Sequence, residues 1–176
     1  RGVNKVVARM GAGNDKLDAS RLAGAQVEID GGAGNDVLIA GSAGGTLRGG
    51  SGNDKLSAVA GMARRLVLDG GAGDDALTGG AGDDDLSGGL GDDKLDSGAG
   101  RDRLEGGAGD DQLRGGGDAD TYAFGDDWGS DSFNDRDGHV ALDFAAMTGG
   151  VTLSLGKRAV GAVNALGQEI RLSGAT

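Results

Sequence analysis

From Gly70 onward an apolar residue returns at every ninth position: Leu77, Leu86, Leu95, Leu104, Leu113 and Tyr122. Most of their immediate neighbours are polar, and six residues dominated by glycine and aspartate separate one such triplet from the next. Side chains alternate between the two faces of an extended chain. A lone apolar residue between polar ones therefore predicts a three-residue strand, with position eight turned inward and positions seven and nine turned out. The glycine and aspartate between the triplets predict turns.

In full, the units read GGAGDDALT, GGAGDDDLS, GGLGDDKLD, SGAGRDRLE, GGAGDDQLR and GGGDADTYA, ending at Ala123. The pattern is G-G-x-G-x-D-x-U-x, with U apolar. Earlier copies are MGAGNDKLD (10–18), GGAGNDVLI (31–39), AGSAGGTLR (40–48) and GGSGNDKLS (49–57), the third of which has Gly45 in place of the aspartate. Two twelve-residue pieces, 19–30 and 58–69, interrupt them. Each ends in an alternating strand, with Val27 and Ile29 in one and Leu66 and Leu68 in the other. Beyond the repeats, HVALDFAAM, GGVTLSLG and QEIRLSG alternate in the same way and predict further strands.

Composition adds a difficulty. Forty of 176 residues are glycine, only 37% are hydrophobic and 3% aromatic. The entropy lost on ordering so much glycine is hard to offset with so small a core. Either the chain is disordered or something external holds it, and the strict period favours the second. Cysteine is absent, so disulfides are not the staple. The net charge of −11 argues against nucleic acid as a partner. No run of eighteen apolar residues predicts a membrane span, and no secretory leader stands at the start. Arg1 reads as a cut within a longer protein.

The tandem nonapeptides resemble the RTX family (repeats-in-toxin, hemolysin-type calcium-binding repeats). The resemblance implies an all-β fold: a right-handed parallel β-roll, or calcium-binding β-solenoid, with an irregular C-terminal capping or continuation region. Residues 1–123 would form the roll, irregular to 69 and regular from 70, and 124–176 the cap and further strands. In the family six residues make a turn, three a strand, and two repeats one coil. Calcium sits between a turn and the turn one coil later, held by position-six aspartates and backbone carbonyls. Calcium takes six to eight oxygens, and glycine lets carbonyls converge where other residues would not.

Counting each twelve-residue piece as one half-coil sorts the turns onto two edges. On the first edge every turn carries the ligand: Asp15, Asp36, Asp54, Asp75, Asp93 and Asp111. On the second, the turns from 19, 40 and 58 lack it, and Asp84, Asp102 and Asp120 supply it thereafter. The carbonyls implied on the first edge are those of Gly11 and Gly13; Gly31, Gly32, Ala33 and Gly34; Gly49, Gly50, Ser51 and Gly52; Gly70, Gly71, Ala72 and Gly73; Gly88, Gly89, Leu90 and Gly91; and Gly106 and Ala108. On the second they are those of Gly80 and Gly82; Ser97, Gly98, Ala99 and Gly100; and Gly115 and Gly117. Six stacked turns enclose five sites and three enclose two, which predicts about seven Ca2+ ions. DDWGSDSFN (126–134) reads as a degenerate turn on the first edge after a two-residue slip, and Asp131 would make an eighth site with Asp111.

Adjacent coils about 4.8 Å apart put carboxylates close enough to repel by roughly 0.9 kcal/mol in water, and several-fold more at lower dielectric. A largely disordered calcium-free state is the expectation. The N-terminal half of the second edge would hold by apolar contact through Val27, Ile29, Leu47, Leu66 and Leu68.

Other features read as ordinary. The position-five residues (Asn14, Asn35, Asn53, Asp74, Asp83, Asp92 and Asp110) are expected to be solvated turn residues. His139 with Asp135, Asp137 and Asp143 reads as a surface loop, since no second histidine or cysteine supports a zinc site. Tyr122 and Trp128 read as a cap over the open core rather than a sugar site. Arg64 and Arg65 read as part of a solvated face. Gly-x-Gly without a following Lys-Ser/Thr does not make a phosphate loop. The outward residues Lys16, Val37, Lys55, Ala76, Lys94 and Gln112 form no threonine ladder of the kind expected on an ice-binding face.

The function implied is a non-catalytic, monomeric calcium-binding module of a secreted or cell-surface bacterial protein such as an adhesin. It would fold on calcium after type I secretion and space or present neighbouring domains of the same protein. The alternative is an accessory module of a secreted RTX enzyme or toxin.

Overall fold

The computed structural model describes residues 4–135, 139–148, 151–155, 160–164 and 171–172, and these form a two-sheeted β-solenoid. One sheet stacks eight parallel strands: Lys5–Ala12, Gln26–Ala33, Gly45–Ser51, Leu66–Ala72, Asp85–Leu90, Arg103–Ala108, Ala119–Ala123 and His139–Asp143. The other stacks Lys16–Asp18, Val37–Ile39, Lys55–Ser57, Ala76–Thr78, Lys94–Ala99, Gln112–Gly117 and Ser132–Asn134 in parallel. Arg171–Leu172 adds to Ser132–Asn134 in parallel, and Val160–Asn164 and Val151–Leu155 follow antiparallel. The chain passes from one sheet to the other at every turn, so successive turns fall on opposite edges.

Strands in the eight-stranded sheet are longer than the nonapeptide predicts. Pairing runs on past positions seven to nine into the first three residues of the next turn, as in Arg103–Ala108 against Asp85–Leu90. Glycine at the first two of those positions permits this because it brings no side chain between coils.

The core is two facing ladders, each with one residue per coil. In one sheet Leu17, Leu38, Leu56, Leu77, Leu95, Leu113 and Phe133 are in register. In the other Ala8, Ile29, Leu47, Leu68, Leu86, Leu104, Tyr122 and Leu142 are. All are buried except Ala8, Leu17 and Leu142 at the ends, which pack on the core partly buried. A leucine buried this way contributes about 1.5–3 kcal/mol, so each coil brings little apolar cohesion of its own.

Stacked position-six residues are separated in sequence by 21, 18, 21, 18, 18 and 20 residues. Each twelve-residue piece is therefore absorbed into one half-coil. Its extra residues loop out on the second edge and tuck in small or flexible side chains: Ala19 and Met62 join the core cluster of Val27, Ile29, Leu47, Leu66 and Leu68, and Ala25 is buried as well.

Parallel stacking does not stop at Ala123. Residues 126–134 form a seventh turn on the first edge, and His139–Asp143 lies against Ala119–Ala123. Aromatics close the core there, with ring centroids 4.6 Å apart for Tyr122 and Phe133, 5.5 Å for Phe124 and Trp128, and 5.2 Å for Phe124 and Phe144. Asp137 lies outside the described residues. Among the described residues no helix is long and apolar enough to cross a membrane.

Candidate metal centres

Each turn on the first edge presents oxygen to both of its neighbours. The glycines at positions two and four adopt positive φ, +101° at Gly32 and +125° at Gly34, which L-residues rarely tolerate. A methyl group on Gly32 would overlap the Gly11 carbonyl oxygen, and one on Gly34 the Gly13 oxygen. Position-two and position-four carbonyls therefore face the following coil at close range. Position-one carbonyls face the preceding coil: a methyl on Gly31 would run into both the Gly49 oxygen and Asp36 Oδ2. Position-three carbonyls also face back. Ala33, Ser51, Ala72, Leu90 and Ala108 each accept the position-four N–H of the turn before, at 2.7–2.8 Å.

The aspartates span two gaps each. Oδ1 reaches back to accept the N–H of the previous turn's position-six residue: Asp15 donates to Asp36 at 2.7 Å, Asp36 to Asp54 at 2.7 Å, and so on to Asp111 and Asp131 at 3.0 Å. Oδ2 is buried without a partner in Asp15, Asp36, Asp54, Asp75, Asp93, Asp111 and Asp131. One gap thus collects the earlier Oδ2, the later carboxylate, two carbonyls from below and two from above. These six hard oxygens match the coordination number and donor type of calcium. Buried carboxylate oxygens left unpaired are rare and costly, and a divalent cation between coils answers the whole column at once. The residues present fit the ion.

The second edge repeats this from residue 79 with differences. Asp84 Oδ1 accepts the Leu66 N–H at 2.7 Å, where the coil below has no aspartate. Asp84 Oδ2 accepts the Gly80 N–H of its own turn at 2.7 Å, so this carboxylate is partly satisfied. Asp84 donates to Asp102 at 2.7 Å and Asp102 to Asp120 at 2.9 Å, with Oδ2 of the latter two unpartnered. Gly80 and Gly82 turn their carbonyls toward Gly98 and Gly100, and the Ser97 carbonyl faces Gly79. The Gly80 oxygen also accepts the Ala99 N–H at 3.1 Å. Ser97 adds a hydroxyl the motif does not call for, donating to the Gly115 carbonyl at 2.8 Å. Ala99 and Gly117 are paired in register at the strand ends beside this gap.

Without a cation, burial raises these carboxyls first and neighbouring carboxylates raise them further. Asp75, Asp102 and Asp111 are pushed up to about 6, Asp93 and Asp120 to about 7, and Asp131 to about 8.

Position five is more than solvated. Its side chains are exposed, yet each points forward and accepts the position-five N–H of the next coil. The ladder runs from Asn14 to Asn35, Asn53, Asp74, Asp92, Asp110 and Ser130 at 2.9–3.1 Å. On the second edge Asp83 accepts from Arg101 at 3.0 Å. Asp135 departs further from expectation. It is 7% exposed, packed beside Asp120 rather than displayed on a loop, because the degenerate turn brings the chain back over the last regular coil.

The seventh turn supplies Asp131 and turns Gly129 onto the Gly109 carbonyl. At Gly106, however, the nearest atoms are all from Asp111, and the next coil's position-one carbonyl is not among them. The two-residue slip has shifted it.

No curated protein sequence matches the chain. The profile of the RTX calcium-binding nonapeptide repeat matches four times, over residues 28–45, 39–61, 67–95 and 96–127. These matches span more than half of the chain and fall on the stacked turns whose oxygens face one another. The chain belongs to the RTX calcium-binding nonapeptide repeat family.

Proposed function

We propose that this chain is a non-catalytic structural module whose fold is assembled by calcium, part of a secreted or surface-exposed bacterial protein of adhesin type. It folds outside the cell and spaces or presents other domains. The observation that carries this reading is the column of buried, unpartnered Oδ2 atoms, one per coil, with those of Asp36, Asp54, Asp75 and Asp93 each set beside the first carbonyl of the next coil. Five gaps on the first edge, between Asp15 and Asp111, and two on the second, between Asp84 and Asp120, each take one ion. The gap between Asp111 and Asp131 takes an eighth.

Folding on export follows from the affinity expected of extracellular calcium modules, with dissociation constants on the order of 10⁻⁴–10⁻³ M. Such sites fill outside a cell and stay empty in a cytosol poor in calcium, where the column's repulsion keeps the chain open. Circular dichroism with and without calcium tests the proposal. The β signal should appear cooperatively on calcium addition and vanish with chelator. A chelated sample already rich in β-structure at neutral pH would overturn it.

A further inference from the structure

The second column of aspartates ends at Asp120, and no nonapeptide follows residues 115–123 on that edge. In earlier gaps, a methyl on the position-one residue meets Oδ2 of its own turn and the first carbonyl of the next coil. Gly79 meets Asp84 Oδ2 and the Ser97 oxygen. At Gly115 the first partner is again present as Asp120 Oδ2, but the second is the Tyr122 hydroxyl, 2.6 Å from where that methyl would sit. A phenolic oxygen stands where the missing turn's carbonyl would be. It is held there, accepting the Gly115 N–H at 2.8 Å and donating to the Asn134 carbonyl at 3.2 Å. A hydroxyl oxygen has two lone pairs, so one remains for a ligand.

The acids are in place as well. Asp120 is 1% exposed, its Oδ1 accepts the Asp102 N–H, and its Oδ2 is buried without a partner and aimed into this space. Asp135 follows Asn134 directly, is itself buried, and sets its carboxylate beside those of Asp120 and the Tyr122 phenol. The donors are all hard oxygens, which suit calcium rather than a thiophilic metal.

We infer that Asp120, Asp135 and the Tyr122 hydroxyl hold a further calcium-type divalent cation that closes the second column. The inference rests on the reading that the gaps between coils hold calcium. It differs in that Asp135 and the phenol lie outside the motif's ligand positions, so a count of nonapeptide turns omits this ion. The ion ties the capping segment to the last regular coil and adds a polar link to the Tyr122–Phe133 ring contact.

Anomalous diffraction from crystals of the terbium-loaded chain tests this without any substitution. A peak within coordinating distance of Asp120 and Asp135 is expected. Peaks between Asp75 and Asp93 and between Asp102 and Asp120, with none at Asp135, overturn the inference and leave the calcium reading standing. No peak in any gap overturns both. In solution, calcium titration of Asp135→Asn should show one ion fewer than the parent chain, with the same β signal at saturating calcium. An unchanged ion count overturns the inference, and the diffraction result decides the matter if the variant does not fold.

Discussion

Positions five and six are neighbours in sequence and act in opposite directions along the solenoid. The position-five side chain reaches forward to the next coil's N–H, and position six reaches back with Oδ1 while its Oδ2 faces forward. One aspartate therefore serves two gaps. Asp36→Ala should cost two ions, since it removes oxygen from the gaps on both sides of its turn. Asp84→Ala should cost one, because the coil below it has no matching aspartate. Calorimetric titration gives both counts, and equal losses would contradict the bridging geometry. Asn35→Ala should leave the count unchanged and lower stability by about 0.5–1.5 kcal/mol, the usual net value of one hydrogen bond, as measured by the thermal midpoint in saturating calcium. The position-six residues were legible in the sequence because a strict period marks them. Position five was not, because whether Asn35 is solvated or bonded to Asn53 depends on a stacking register that one repeat does not contain. Asp135 was missed for a related reason: it lies outside the repeat frame, and only the return of the chain over Asp120 gives it a role.

Strand and turn assignments followed from the spacing of single leucines, and both ladders formed as the alternation predicts. What spacing could not give was strand length in the eight-stranded sheet, where backbone pairing continues through glycines that look like turn residues. Nor did it show that the twelve-residue pieces would bury Met62 and Ala19. These half-coils, which lack a position-six aspartate, lean on side-chain packing. Leu66→Ala should therefore destabilise the folded state by about 2–5 kcal/mol, as for other buried leucines, and raise the calcium concentration needed for half-folding. A midpoint unchanged from the parent would show that Leu66 contributes no such cohesion.

Across the whole molecule the acidic columns set the response to pH. In the metal-free roll burial holds the carboxyls of Asp75, Asp93, Asp102, Asp111, Asp120 and Asp131 at about 6 to 8, above the ordinary value of 3.8. The folded chain binds more protons than the unfolded one in that window. Metal-free stability is therefore greatest below about pH 4 and is lost as pH rises through about 6 to 8. In chelator, acidification from about pH 8 to pH 4 should increase the β signal. Calcium affinity should run the other way and rise with pH, because the ligands bind as carboxylates. A chelated sample with more β-structure at the higher pH would contradict the burial of these groups. The net charge of −11 hinted at repulsion, but it could not locate that repulsion in buried columns, since exposed position-five acids count equally in the total.

The two columns differ in length, and that difference has a mechanical meaning. Coils up to Leu68 are cross-linked through aspartates along one side only, while those from residue 79 onward are cross-linked along both. A rod braced on one side bends easily toward or away from its unbraced side, and a rod braced on both sides does not. Tension carried along this chain should therefore concentrate where the bracing changes, at the seam where Gly80 and Gly82 rest on the backbone of Met62 and Arg64. Under load the N-terminal coils would splay first, hinging on the first edge, while the two-braced segment stayed straight.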